Sequence, residues 1–194
     1  MFNKLSESLT NRLIETGIIH TDELEIYRFG LETLMMKICH LASYLLLGIF
    51  FDKLLELLLF IAAFIPLREY AGGYHAKTPL RCYLVSCLTV ISLLFLLHAT
   101  PSQVMNYSMI LAFLASTILF FIVPVESANK PLDESEKTYY RSKAGFLIIF
   151  ILTGALISRM LDWNYLSYIL ALSLAYEAVI AIVGLRAGKS VHMQ

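Results

Sequence analysis

The chain has 194 residues, 58% of them hydrophobic and 15% charged, with a mean hydropathy of +0.71. A water-soluble domain carries about 25% charged residues, so this composition excludes an ordinary soluble globule and makes the bilayer the expected solvent. Lys and Arg balance Asp and Glu at 15 each, and zero net charge argues against a general nucleic-acid binder.

The opening stretch, MFNKLSESLTNRLIETGIIH, has no apolar h-region and does not read as a cleavable signal peptide. Phe2, Leu5, Leu9 and Leu13 recur at helical spacing, with Lys4, Glu7, Arg12 and Glu15 elsewhere. That pattern fits an amphipathic helix lying on a membrane surface, or equally a bundle helix facing water. About six apolar segments follow, near 34–51, 54–67, 81–99, 104–124, 144–162 and 165–185. Those at 81–99, 104–124 and 165–185 read as long enough to span, whereas 54–67 also suits a re-entrant or interfacial helix. FFDK leaves almost no loop between the first two, which predicts a tight hairpin. The expected fold is all-α, a polytopic membrane helical bundle forming one integral membrane domain over 1–194. Its parts are an amphipathic region at 1–30, the bundle at 34–185 and a tail at 186–194, with no internal repeat.

Basic residues set the orientation. Arg68, Lys77 and Arg81 lie between the second and third segments, and Lys130, Lys137, Arg141 and Lys143 lie between the fourth and fifth. Arg186 and Lys189 follow the sixth, while the alternate connections hold only Lys53 and Arg159. Both termini and the two basic connections are therefore expected on the cytoplasmic side.

One stretch does not read as generic membrane sequence: REYAGGYHAKTPLRCYLVSC, Arg68 to Cys87. Pro66 is expected to close the second segment, since proline interrupts a helical hydrogen-bond ladder. Gly72 and Gly73 permit positive φ and close backbone approach. Thr78 can cap the next helix and Pro79 suits its first turn, which places Cys82 in the opening turn. A thiol there feels the positive end of the helix dipole, and His75 nearby can take its proton. Arg68 and Arg81 would favour the thiolate further, or hold an acidic peptide. If the helix ran back through His75, that residue and Cys82 would lie within roughly 20° of one face; Pro79 favours a contact made by the loop folding back instead. The bland alternative is a packing cysteine beside an interfacial histidine, the reading given to Cys39, Cys87, His40 and His98. A metal site is not expected, because only two good ligands cluster here and a closed site wants four. No cofactor is expected.

The run PLREYAGGYHA, with six residues between His75 and Cys82, resembles the signature of the accessory gene regulator B (AgrB) family. PVESANKPL, Pro124 to Leu132, is similar to that family's second recurring segment, and the likeness covers essentially the whole chain. The resemblance implies a bacterial cell-membrane cysteine endopeptidase of Gram-positive quorum sensing. Such a protein cuts the C-terminal part from a precursor peptide, AgrD, and helps convert the remainder into a cyclic autoinducing peptide. It also implies Cys82 as nucleophile, His75 as base, and a homodimer. Backbone amides at Gly72 and Gly73, or at the start of the third segment, are the candidate oxyanion donors. Glu69 is placed to orient His75 or to pair with Arg68. Glu177, an acid at membrane depth, either lines a substrate cavity or pairs with a buried polar group. The rival classes are a peptide transporter and a non-catalytic membrane scaffold. A transporter would distribute polar residues over several helices in paired halves; a scaffold would leave Cys82 and His75 replaceable.

Overall fold

The computed structural model of the chain describes residues 3–74, 78–126 and 132–191. Among them are eight helices: α1 (Asn3–Glu15), α2 (Leu24–Phe50), α3 (Leu54–Ala71), α4 (Pro79–Ala99), α5 (Ser102–Met105), α6 (Ser108–Ile122), α7 (Glu134–Met160) and α8 (Asn164–Val191). The expected class is borne out. Leu24–Phe50, Pro79–Ala99, Glu134–Met160 and Asn164–Ala187 are long and apolar enough to cross a membrane.

Three expectations are corrected. The span expected at 104–124 is broken at Asn106–Tyr107, leaving α6 only 15 residues long. At 1.5 Å per residue it falls short of the roughly 30 Å hydrocarbon core. α3 is 18 residues long but carries Glu56, Arg68 and Glu69, so the expected six spans become four full-length ones and two lesser helices. Pro66 does not end α3; the helix runs through it to Ala71 and stops at Gly72, whose φ is +74°. A packed membrane helix tolerates an internal proline because its neighbours re-satisfy the freed backbone groups.

Local chemistry explains several helix ends. Thr78 caps α4, its hydroxyl accepting from the Arg81 amide, with Pro79 in the first turn as expected. Asp133 and Glu136 form a reciprocal capping box on α7, and the Glu136 amide holds the Asp133 carboxyl below the usual carboxylate range. α1 rests on α2 through its small polar face. Ser6 and Thr10 are buried, and Ser6 Oγ donates to Glu32 Oε1 at 3.0 Å. Leu5 and Leu9 point outward, which suits a helix lying on a membrane surface.

α8 is the central helix, packed against α3, α6 and α7. One core lies among α3, α6, α7 and α8 and is rich in small residues, including Ala112, Ala115, Ala144, Ala171, Ala178 and Ala181. Small side chains let helix backbones approach, the main source of packing energy where water supplies no hydrophobic drive. A second core, built on Leu57, Phe60, Leu93, Leu94 and Ile169, joins α3, α4 and α8. α2 touches the second core only at its edge, through Tyr44 and Leu47, and turns most of its surface outward.

The α2–α3 hairpin closes on Gly48, which is buried; a Cβ there would meet Leu54 and Leu57 atoms at 3.1 Å. Gly48→Val is expected to overpack this turn and destabilise the protein by about 1–3 kcal/mol, read as a lower thermal midpoint of the purified protein in detergent micelles.

Candidate active site

The stretch that stands out in sequence forms a strap across one end of the bundle. Gly72 ends α3 with positive φ, and Gly73 follows at +119°. This geometry turns the chain alongside the α6–α7 linker. The Val125 amide donates to the Ala71 carbonyl at 2.8 Å, and the Gly73 amide donates to the Val125 carbonyl at 3.2 Å. Gly72 and Val125 thus pair as a short parallel bridge. A Cβ on Gly72 would strike the Val125 carbonyl, so both the positive φ and the contact require glycine.

The strap also lies on α8. The Tyr74 amide donates to the Ile180 carbonyl at 3.3 Å. Gly184 allows the approach, since a Cβ there would strike the Gly73 and Tyr74 backbone. The Arg68 guanidinium reaches over from the last turn of α3 and donates to the carbonyls of both Gly72 and Tyr74. Its Nη1 is also 3.4 Å from Oε1 of Glu177, whose side chain is fully buried in α8. Breaking a buried ion pair from one side costs about 3–5 kcal/mol, because the remaining charge is left without compensation.

Below the strap, a cavity of about 420 Å³ opens between α2, α3, α4 and α8. Its walls are mostly apolar, with Phe60, Phe64 and Val90 among them, and Arg68 and Tyr74 contribute where the strap crosses. Cys82 lines it from the opening turn of α4, and among the described residues it is the only cysteine that does. Ser86, one turn further along α4, and Tyr44 of α2 add hydroxyls to the same space.

The sequence-predicted residues therefore divide. Arg68 meets Gly72, Gly73 and Glu177 and shares the lining of the cavity with Cys82. Glu69 is exposed on α3, and Arg68 pairs with Glu177 in its place. Of the two roles open to Glu177, pairing is what is seen; it is not among the cavity's lining residues. The Gly72 and Gly73 amides already donate to the Arg68 and Val125 carbonyls. His75, Lys77 and Lys130 lie outside the described residues. Sequence reasoning missed Val125, Gly184 and Tyr44. Gly184 had a usable signal, because an isolated glycine inside a helical pattern has a packing or functional reason.

The strap end also gathers basic residues. Tyr70 of α3 packs its ring against Tyr139 and Tyr140 of α7, and Lys137 pairs with Glu126 at 2.9 Å. Arg68, Arg81, Lys137, Arg141 and Lys143 are thus carried by helix ends on the same side of the bundle.

Residues 6–182 match the family model of accessory gene regulator B. An AgrB-like protein of Clostridium perfringens strain SM101 is 29% identical over 190 residues, covering 94% of this chain and 86% of the relative. AgrB-like protein 2 of C. perfringens strain 13 is also 29% identical, over 77% of this chain and 72% of its own length. Protein FsrB of Enterococcus faecalis strain OG1RF is 29% identical over 58% of this chain and 44% of its own length. No solved structure matches. With the family model covering nearly all of the sequence, the chain belongs to the accessory gene regulator B family.

Proposed function

We propose that the chain is a membrane-embedded cysteine endopeptidase that cleaves a quorum-sensing precursor peptide, of the AgrD kind, and passes its N-terminal part on as a cyclic product. The single observation that carries this reading is the position of Cys82, on the first turn of α4, lining a largely apolar cavity to which Arg68 also contributes. A packing cysteine has no need of such a cavity.

In the proposed reaction His75 takes the proton from the Cys82 thiol, and the sulfur attacks the carbonyl carbon of the scissile peptide bond. The carbon–nitrogen bond breaks as His75 returns the proton to the leaving amine, and the C-terminal fragment departs. The N-terminal part remains as a thioester on Cys82. A thiol within that part then attacks the thioester carbonyl, releasing Cys82 and closing a thiolactone. Apolar walls favour this transfer by keeping water, the competing nucleophile, scarce. The oxyanion donor belongs at the opening turn of α4, where the Leu80 amide has no intrahelical carbonyl to serve it; the strap's two glycine amides are already engaged.

The basic residues gathered at the strap end support a cytoplasmic placement of that end and of both termini, giving a multi-pass cell-membrane protein. The family likeness supports a homodimer and a peptide as substrate. No nucleic-acid role and no cofactor enter this reading.

Co-expression with the cognate precursor tests it. Cys82→Ala and His75→Ala are expected to drop cleavage below detection, while Cys39→Ala and Cys87→Ala retain it. Cleavage by Cys82→Ala would remove the thiol reading. Mass analysis of the released N-terminal part is expected to show loss of one water relative to the linear acid, and only linear product would refute the acyl transfer. Thr78→Ala, which removes the α4 cap, is expected to cost about 1 kcal/mol of local stability and to show faster amide exchange at Arg81 and Cys82.

A further inference from the structure

We propose that Glu177 is a positioning residue: through Arg68 it holds the Gly72–Tyr74 strap on α8, and so fixes the wall that Arg68 and Tyr74 contribute to the cavity lined by Cys82. This inference rests on the thiol-peptidase reading above and extends it to a residue that touches neither substrate nor nucleophile.

The argument starts from α8. Glu177, Ile180, Ala181 and Gly184 are spaced i, i+3, i+4 and i+7, which puts them in one stripe on one face of the helix. Each meets the strap or its anchor. The Ile180 carbonyl accepts the Tyr74 amide, Gly73 packs toward the Ala181 Cα, and Gly184 leaves the gap that the Gly73–Tyr74 backbone fills. Glu177 engages the strap indirectly, through Arg68 Nη1 at 3.4 Å.

The guanidinium needs that carboxylate. Arg68 spends donors from both terminal nitrogens on the carbonyls of Gly72 and Tyr74, which bind a cation without neutralising it. Its side chain is only 21% exposed, so solvent does little to compensate. Glu177 supplies the opposite charge, and among the described residues its second oxygen, Oε2, has no hydrogen-bond partner. The carboxylate is therefore committed to Arg68 rather than shared with a wider network. With Glu177 neutral, Arg68 loses its reason to stay turned into the bundle, and the strap loses the clamp on both carbonyls.

The consequence for catalysis follows from covalent connection. Tyr74 is the last strap residue, and the proposed base, His75, is the next in sequence. Misplacing a reacting group by about 1 Å is enough to cost about 10²-fold in rate.

The test uses the full chain in membranes, with Cys39→Ala and Cys87→Ala so that only Cys82 reacts with iodoacetamide. Glu177→Gln is expected to lower kcat for precursor cleavage by about 10²-fold and to slow the alkylation of Cys82 at a fixed pH. Glu177→Asp, which keeps the charge, should recover part of both. If Glu177→Gln does not accumulate, Gly184→Ala carries the test, since its added methyl meets the strap backbone; the same fall in kcat and the same slower alkylation are expected. Unchanged kcat in either folded variant overturns the proposal. So does an alkylation rate per folded molecule that stays at the parent value while only the amount of folded protein falls. The two readings separate cleanly: cleavage by Cys82→Ala or His75→Ala sinks the peptidase reading, whereas loss in both with full activity in Glu177→Gln sinks only the positioning role.

Discussion

A guanidinium and a carboxylate meeting inside a helical membrane bundle are the constraint on which the rest of this site depends. Either charge turned alone toward lipid is costly. Arg68 and Glu177 avoid that cost by facing each other at 3.4 Å rather than facing lipid. The pair ties the end of α3 to the middle of α8, and the guanidinium's remaining donors hold the glycine strap between them. Remove the pair and nothing else described would anchor both carbonyls. The backbone bonds to Val125 and Ile180 would remain, but they fix only one edge of the strap each.

The small-residue core serves the same end. Ala112, Ala115, Ala171 and Ala178 bring α6 and α8 close, which sets the height at which the α6–α7 linker leaves the bundle. That height is where Val125 meets Gly72. The second core, with its larger side chains, keeps α3 and α4 apart around Phe60 and Phe64, which stack at 4.9 Å and line the cavity beneath Cys82. Tight packing on one side of α8 and an open pocket on the other thus follow from alanines in one set of positions and aromatics in another.

Much of this was legible in the sequence. The all-helical membrane class followed from composition and apolar blocks, and Thr78-Pro79 located the start of α4 to the residue. One short stretch also carries both Arg68 and Cys82, which line the same cavity. What was not legible depended on partners far along the chain. Whether Arg68 would turn to Glu69 beside it or to Glu177, 109 residues on, is a question of helix rotation that local pattern does not answer. Pro66 misled because its cost depends on neighbours able to satisfy the freed carbonyl. The break at Asn106–Tyr107 carries neither proline nor glycine, so local propensity gave no warning that the apolar stretch would divide.

The pairing of Gly72 with Val125 reaches beyond local geometry. Two backbone hydrogen bonds would have to fail together before the end of α3 and the exit of α6 separate: Val125 to Ala71 and Gly73 to Val125. The two connections are therefore mechanically one body. A pull on the linker at Glu126, where Lys137 already holds it at 2.9 Å, is transmitted to the strap without passing through any side chain in the cavity. A displacement of the α6–α7 linker at Val125 is thus also a displacement of the strap at Gly72–Gly73.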